Sequence, residues 1–171
     1  NFNGIDQMYD LSLQLNNNPN SRRMVVSAWN PADMKDMALP PCHYGFQVYV
    51  NNGKLDLMWQ QRSVDVFLGL PYDIAMYGLL LELLAKGHGL KPGKLIGQLG
   101  DCHIYNNHID QATTLMYRNP DTYFCPVLQL DTIGVCINSQ NEINIPSLDS
   151  MILHGYEHMG EIKAPLNVGK K

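Results

Sequence analysis

The apolar residues Ile5, Met8, Leu11 and Leu15 recur at near-helical spacing, and the run Asn16-Asn17-Asn18-Pro19-Asn20 behind them is made of turn formers. This predicts a first helix over residues 5–15. The apolar stretch 24–29 predicts a buried strand, which Asn30-Pro31 breaks because proline restricts the residue before it. Two strand-like runs, 44–50 and 55–62, flank Asn51-Asn52-Gly53, and an Asn-Gly pair favours the positive φ angles of a tight hairpin turn. Residues 71–86 are apolar nearly all round, as expected of a helix buried within a domain, and Gly87 and Gly89 supply its end. A short strand at 95–99, a helix over 107–117 and strands at 127–130 and 151–153 complete the pattern.

Helices and strands mix without a regular β-α-β period, which favours an α+β fold over a doubly wound sheet. Gly97 and Gly100 do not make a phosphate-cradling glycine loop. With 171 residues, 45% hydrophobic and 16% charged, the whole chain, 1–171, reads as one globular domain with a real core. A net charge of −4 argues against nucleic acid or a membrane surface as a partner, so any phosphate must be met by local cations. No apolar run nears the roughly 18–20 residues that span a bilayer, and no leader pattern opens the chain. A cytoplasmic protein is expected. Asn1 stands where an initiator methionine would, so the chain is expected to be a fragment or a processed form.

Four cysteines, Cys42, Cys102, Cys125 and Cys136, lack the paired spacing of a zinc ribbon or a disulfide scaffold. Cys102, His103, His108 and Cys125 match none of the usual structural zinc spacings, and no metal is expected. Cys42 lies in Leu39-Pro40-Pro41-Cys42-His43, where two prolines restrict the backbone and an imidazole follows. A thiolate is the nucleophilic form of cysteine and neighbouring positive charge favours it, although a buried structural thiol fits the same residues. Arg22-Arg23 suits bidentate phosphate contacts, although adjacent arginines on a surface are more often merely solvated. Arg62-Ser63 adds a cation and a hydroxyl, with Asp65 two residues on. His103 and Tyr105 alternate along an extended segment and so share a face that suits a sugar hydroxyl.

In order along the chain, Ser21-Arg22-Arg23, Ser27-Ala28-Trp29-Asn30-Pro31, Met37 to His43, Gln61 to Pro71 and Gly100 to His108 strongly resemble the thymidylate synthase family. The likeness returns at Gly155-Tyr156 and Ile162-Lys163-Ala164-Pro165. It implies a mixed sheet with flanking helices, and a homodimer formed sheet to sheet. This chain would be the carboxy-terminal part of the catalytic domain, the amino-terminal portion lying outside it. The resemblance also implies that Cys42, with His43 beside it, attacks C6 of a pyrimidine nucleotide, which makes C5 nucleophilic toward the one-carbon group of 5,10-methylenetetrahydrofolate. It puts Arg62 and Ser63 at the nucleotide phosphate, with Arg22 and Arg23 reaching it from the other subunit. His103 and Tyr105 would hold the sugar 3′-hydroxyl. Asp65 would serve both nucleotide and folate, and Leu68, Gly69 and Val168 the folate side.

One departure bears on the base. Where the family has Gly-Leu-Pro-Phe-Asn-Ile-Ala, this chain has Gly69-Leu70-Pro71-Tyr72-Asp73-Ile74-Ala75. A carboxylate would set acceptor against acceptor at uracil O4, whereas cytosine presents an amino donor at C4 and can take a proton at N3. Such pairing would also stabilise the charge that develops as Cys42 adds. The substrate expected is therefore dCMP, with a methyl or hydroxymethyl product. A thymidylate synthase acting on dUMP past a protonated Asp73 is the alternative, and a non-catalytic nucleotide-binding relative is a second.

Overall fold

The computed structural model describes residues 4–119 and 123–167. The first helix, α1 (Gln7–Asn17), starts after Asp6, whose Oδ1 accepts from the amides of Met8 and Tyr9. That cap meets two of the donors a helix start leaves open, so the helix begins two residues later than the apolar spacing predicts. Leu11 and Leu15 are buried, while Ile5 stands outside the helix and exposed. Strand β1 (Val25–Ser27) is shorter than the predicted buried strand and is not buried throughout. Met24 is fully enclosed but Val25 is exposed, because β1 lies at the sheet edge and shields only alternate residues.

β2 (His43–Asn51) and β3 (Lys54–Asp65) form the expected antiparallel hairpin, with Asn52 at φ 49° and Gly53 at φ 72° in its turn. Helix α2 (Leu70–Gly87) crosses from β3 to β4 (Lys91–His103), and these two strands pair in parallel from Lys54↔Lys91 to Asp65↔His103. The main sheet thus runs β1-β2-β3-β4 with mixed directions, and the α+β expectation holds around a single β-α-β crossover.

β4 far exceeds the strand predicted at 95–99. Pro92, Gly93, Gly97 and Gly100 interrupt its apolar pattern, yet the glycines are where its neighbour comes closest. A Cβ on Gly97 would sit 2.6 Å from the Trp59 ring, and one on Gly100 2.7 Å from the Arg62 carbonyl oxygen.

Helix α2 also departs from expectation. Its carboxy-terminal half packs on the sheet through Tyr77, Leu81 and Leu84, but Tyr72, Ile74 and Met76 in its first turns are exposed. The core gathers α1, the inner face of β2 and β3, and this half of α2. Each fully buried leucine there, such as Leu57 or Leu84, contributes about 1.5–3 kcal/mol.

Beyond β4, a 3-10 turn at Asn106–His108 leads into α3 (Ile109–Met116), together filling the helix predicted at 107–117. Strands β5 (Val127–Leu130) and β8 (Met151–His154) pair antiparallel, near their expected positions. Between them, β6 (Cys136–Ile137) and β7 (Ile143–Asn144) form a second small pair with no counterpart in the sequence pattern. It docks on α2 through the Val135 amide, which donates to the Leu83 carbonyl. Among the described residues, no helix is long and apolar enough to cross a membrane.

Candidate active site

The Cys42 loop is tied down by one arginine. Arg62 donates from Nε to the Pro41 carbonyl (3.0 Å) and from Nη2 to the Pro40 carbonyl (2.8 Å), while its backbone amide donates to the Cys42 carbonyl (2.9 Å). Three successive carbonyls are thereby satisfied by one residue of β3. The half-buried, unbridged thiol of Cys42 stands at the head of β2, in the loop that Arg62 holds. Ser63 follows Arg62 and lies opposite Asp101 of β4.

A second group forms on the face of β3 that meets α2. Leu55, Leu57, Trp59 and Gln61 alternate into the interior, so Gln61 is a buried amide in an apolar stripe. Its Oε1 accepts from Trp59 Nε1 (3.2 Å), and its Nε2 donates to the Ser63 carbonyl (3.1 Å) and to Asp73 Oδ2 (2.9 Å). An indole N–H only donates and a backbone carbonyl only accepts, so the amide has one self-consistent orientation and meets Asp73 as a donor. Asp73 Oδ1 stands 3.2 Å from His43 Nε2. His43 Nδ1 is buried without a hydrogen-bond partner among the described residues. A proton there would be a buried, unpaired donor, so the arrangement favours Nε2–H donating to Asp73.

Tyr77 closes this group from α2. Its ring stacks on Trp59 (centroids 5.1 Å apart, planes 13° apart) and lies 5.5 Å from that of His43. Burial, and then the charge of Asp73, raise the Tyr77 phenol above its ordinary pKa.

The β3–α2 turn aims Asp73 inward. Asp65 Oδ1 accepts from the amides of Phe67 and Leu68, and its carbonyl accepts from Gly69. Gly69 then caps α2, and its carbonyl accepts from the amide of Asp73, which lies in the first helical turn where the helix dipole favours a negative charge. A Cβ on Gly69 would come within 3.0 Å of the Asp65 carbonyl oxygen.

His103 and Tyr105 do share a face, their rings edge to face at 5.0 Å. His103 Nδ1 lies 3.7 Å from Asp101 Oδ1. Behind them His108 is fully enclosed, with Nε2 2.7 Å from the Pro165 carbonyl. A carbonyl only accepts, so His108 carries the Nε2 proton there, and Asn167 Nδ2 is left to donate to Asn107 Oδ1 (3.0 Å). Sequence reasoning weighed His108 only as a zinc ligand. The structure uses it to anchor residues 165–167 beside the site.

Next to this group a broad cleft of about 940 Å³ is lined by Phe67, Leu68, Pro71 and Tyr72 on one side, with Arg118, Tyr156 and Lys163 among its other walls. Its apolar and aromatic walls suit a flat aromatic ligand such as a folate, while of its two cations Lys163 is paired with Glu161, which also lines the cleft, and Arg118 donates to the Gly160 carbonyl. Leu68 lines it, while the Asp65 and Gly69 contacts build the turn beside it. A second recess, about 590 Å³, is bordered by Tyr44, Gln61, Arg62 and Gln98. Arg22 and Arg23 lie exposed ahead of β1, and Val168 falls outside the described residues. Among the described residues, no three His, Cys, Asp or Glu side chains converge as metal ligands.

A model of the family described as thymidylate synthase matches residues 1–168. A protein of Escherichia phage T5 described as "Probable thymidylate synthase" is 59% identical over 121 residues, which cover 70% of this chain and 43% of that protein. The chain therefore matches less than half the length of this curated relative.

Proposed function

The chain belongs to the thymidylate synthase family, whose one-carbon donor is 5,10-methylenetetrahydrofolate, and on that premise we propose that it works in one-carbon transfer to C5 of dCMP. In this reading the Cys42 thiolate adds to C6 of the pyrimidine, and the electron pair of the C5=C6 bond is displaced toward N3 and the C4 substituent. C5 becomes a nucleophile and the ring an enamine, so one difficult substitution is divided into easier steps. The folate supplies the electrophilic carbon when bound.

The chain's own residues prepare these steps. Arg62 holds the loop carrying the thiol and keeps further N–H donors for the nucleotide phosphate. Ser63 joins it there, with Arg22 and Arg23 arriving from the second subunit of a homodimer. His103 and Tyr105 take the sugar hydroxyl. Leu68 packs against the folate, with Asp65, Gly69 and Val168 assigned to the same side.

The observation that carries the choice of base is the pinned amide of Gln61, which meets Asp73 as a donor. Asp73, offered donors by Gln61 and His43, then meets the base as an acceptor matched to the cytosine 4-amino group and to a protonated N3. Uracil O4 in the same place would leave two buried acceptors facing each other, at a cost of about two to three orders of magnitude in discrimination.

A second reading, a thymidylate synthase acting on dUMP, is supported by the printed name of the phage relative. It requires a proton on Asp73, whose two oxygens already accept from His43 and Gln61. Turnover of dCMP and dUMP by the intact protein, with 5,10-methylenetetrahydrofolate and product masses recorded, separates the two. A methylated or hydroxymethylated cytosine product supports our reading; exclusive turnover of dUMP rejects it.

A further inference from the structure

We propose that Trp59 sets the base selectivity of this site without touching the base, by locking the Gln61 amide so that only a donor faces Asp73. The inference rests on the reading of Asp73 given above and extends it to a residue behind the site. Trp59 and Gln61 are 4% and 3% exposed, so the hydrogen bond between them is shielded from water. The indole itself has little freedom. Tyr77 stacks on its face, and the bare α-carbon of Gly97 presses against its six-membered ring, where a methyl group would already overlap.

A terminal amide carries a donor and an acceptor of nearly the same shape, so its orientation is decided by its neighbours. Two neighbours decide it here. The Trp59 N–H demands an oxygen at one end, and the Ser63 carbonyl demands an N–H at the other. With both in place, turning the amide would set N–H against N–H at the indole and oxygen against oxygen at Ser63 and Asp73. Without the indole N–H, one of these three clashes disappears. The turned amide then becomes accessible whenever Asp73 carries a proton, and a protonated Asp73 can donate to uracil O4. The chain is consistent in this respect: a residue whose only polar group is a donor occupies the one place where a donor fixes the amide. Trp59 is thus a positioning residue, acting through Gln61 on Asp73.

The test compares the intact wild-type protein with Trp59→Phe, which keeps an aromatic face against Tyr77 and deletes the N–H together with part of the indole ring. The ratio of kcat/KM for dCMP to that for dUMP is expected to fall about tenfold, the usual worth of one buried donor, chiefly through a lower KM for dUMP. Exchange of the Gln61 side-chain amide protons, followed by NMR without nucleotide, is expected to be slow in the wild type and faster in the variant. An unchanged ratio in a folded variant overturns the proposal, because a merely structural tryptophan would alter stability and leave base choice alone. Should Trp59→Phe fail to fold, the wild-type spectrum still decides: exchange as fast as in a free glutamine side chain overturns the lock. A wild type that prefers dUMP would refute the dCMP reading separately. The amide exchange and the shift of the ratio on Trp59→Phe would still report on Trp59.

Discussion

His43 Nε2 and Asp73 Oδ1 lie 3.2 Å apart, which joins the residue after Cys42, the proposed nucleophile, to the residue proposed to face the base. In the sequence they are thirty positions apart and carry separate arguments. In the fold, the head of β2 and the first turn of α2 meet over Tyr77, so a change at Asp73 is felt next to Cys42.

Asp73→Asn tests the role proposed for the Asp73 side chain in base selection. An amide can accept from uracil N3–H and donate to O4, so the ratio of kcat/KM for dCMP to that for dUMP is expected to fall by about two to three orders of magnitude. Initial rates with each nucleotide at fixed folate measure it. An unchanged ratio would remove Asp73 from base selection.

Arg62→Ala frees the carbonyls of Pro40 and Pro41 from their two side-chain donors. Loss of charge-assisted hydrogen bonds in a part-buried site is expected to cost about 1.5–3 kcal/mol of stability and to lower kcat as the thiol loses its fixed position. Urea unfolding and steady-state kinetics on one preparation check both.

Tyr77 gives a pH signature. Its pKa is raised by burial and by Asp73, so the folded state holds the phenolic proton more tightly than the unfolded chain does. The associated stability is fully present below the ordinary tyrosine value near 10 and is lost as pH rises through the raised folded value. Tyr77→Phe is therefore expected to lose less stability than the wild type between neutral pH and pH values above about 10, measured as unfolding free energy against pH. A parallel loss in both proteins would contradict this.

Gly97→Ala places a methyl group 2.6 Å from the Trp59 ring. Backbone on one side and a stacked indole on the other leave it no room, so a destabilisation of about 1–3 kcal/mol is expected, with a change in Trp59 fluorescence. The melting temperature and emission spectrum test it together.

The local and the recognised parts of this architecture were legible in the sequence. The β2–β3 turn could be read because Asn52 and Gly53 carry the positive φ angles themselves. Cys42 and Asp73 stood out through family resemblance, and His103 with Tyr105 through simple alternation. Beyond the short strand expected at 95–99, β4 was hidden because parallel pairing is non-local and the glycines that admit Trp59 and Arg62 look like breakers. The exposed first turns of α2 defeated the expectation of a helix enclosed all round, since an apolar sequence does not tell which neighbours cover it. The pair Trp59 and Gln61 was missed although a signal was there. Period-two burial in β3 sets Gln61 on the face of Leu55, Leu57 and Trp59, and a polar residue in such a stripe must find buried partners.

The most direct test of the central claim is intact-mass spectrometry of the full protein, followed by peptide mapping. The protein is offered equal amounts of 5-fluoro-dCMP and 5-fluoro-dUMP with 5,10-methylenetetrahydrofolate; fluorine at C5 stalls the reaction because it cannot depart as a cation. The account predicts a covalent adduct on Cys42 that carries predominantly the cytosine nucleotide. A predominance of the uracil nucleotide, or no adduct at Cys42, would contradict it.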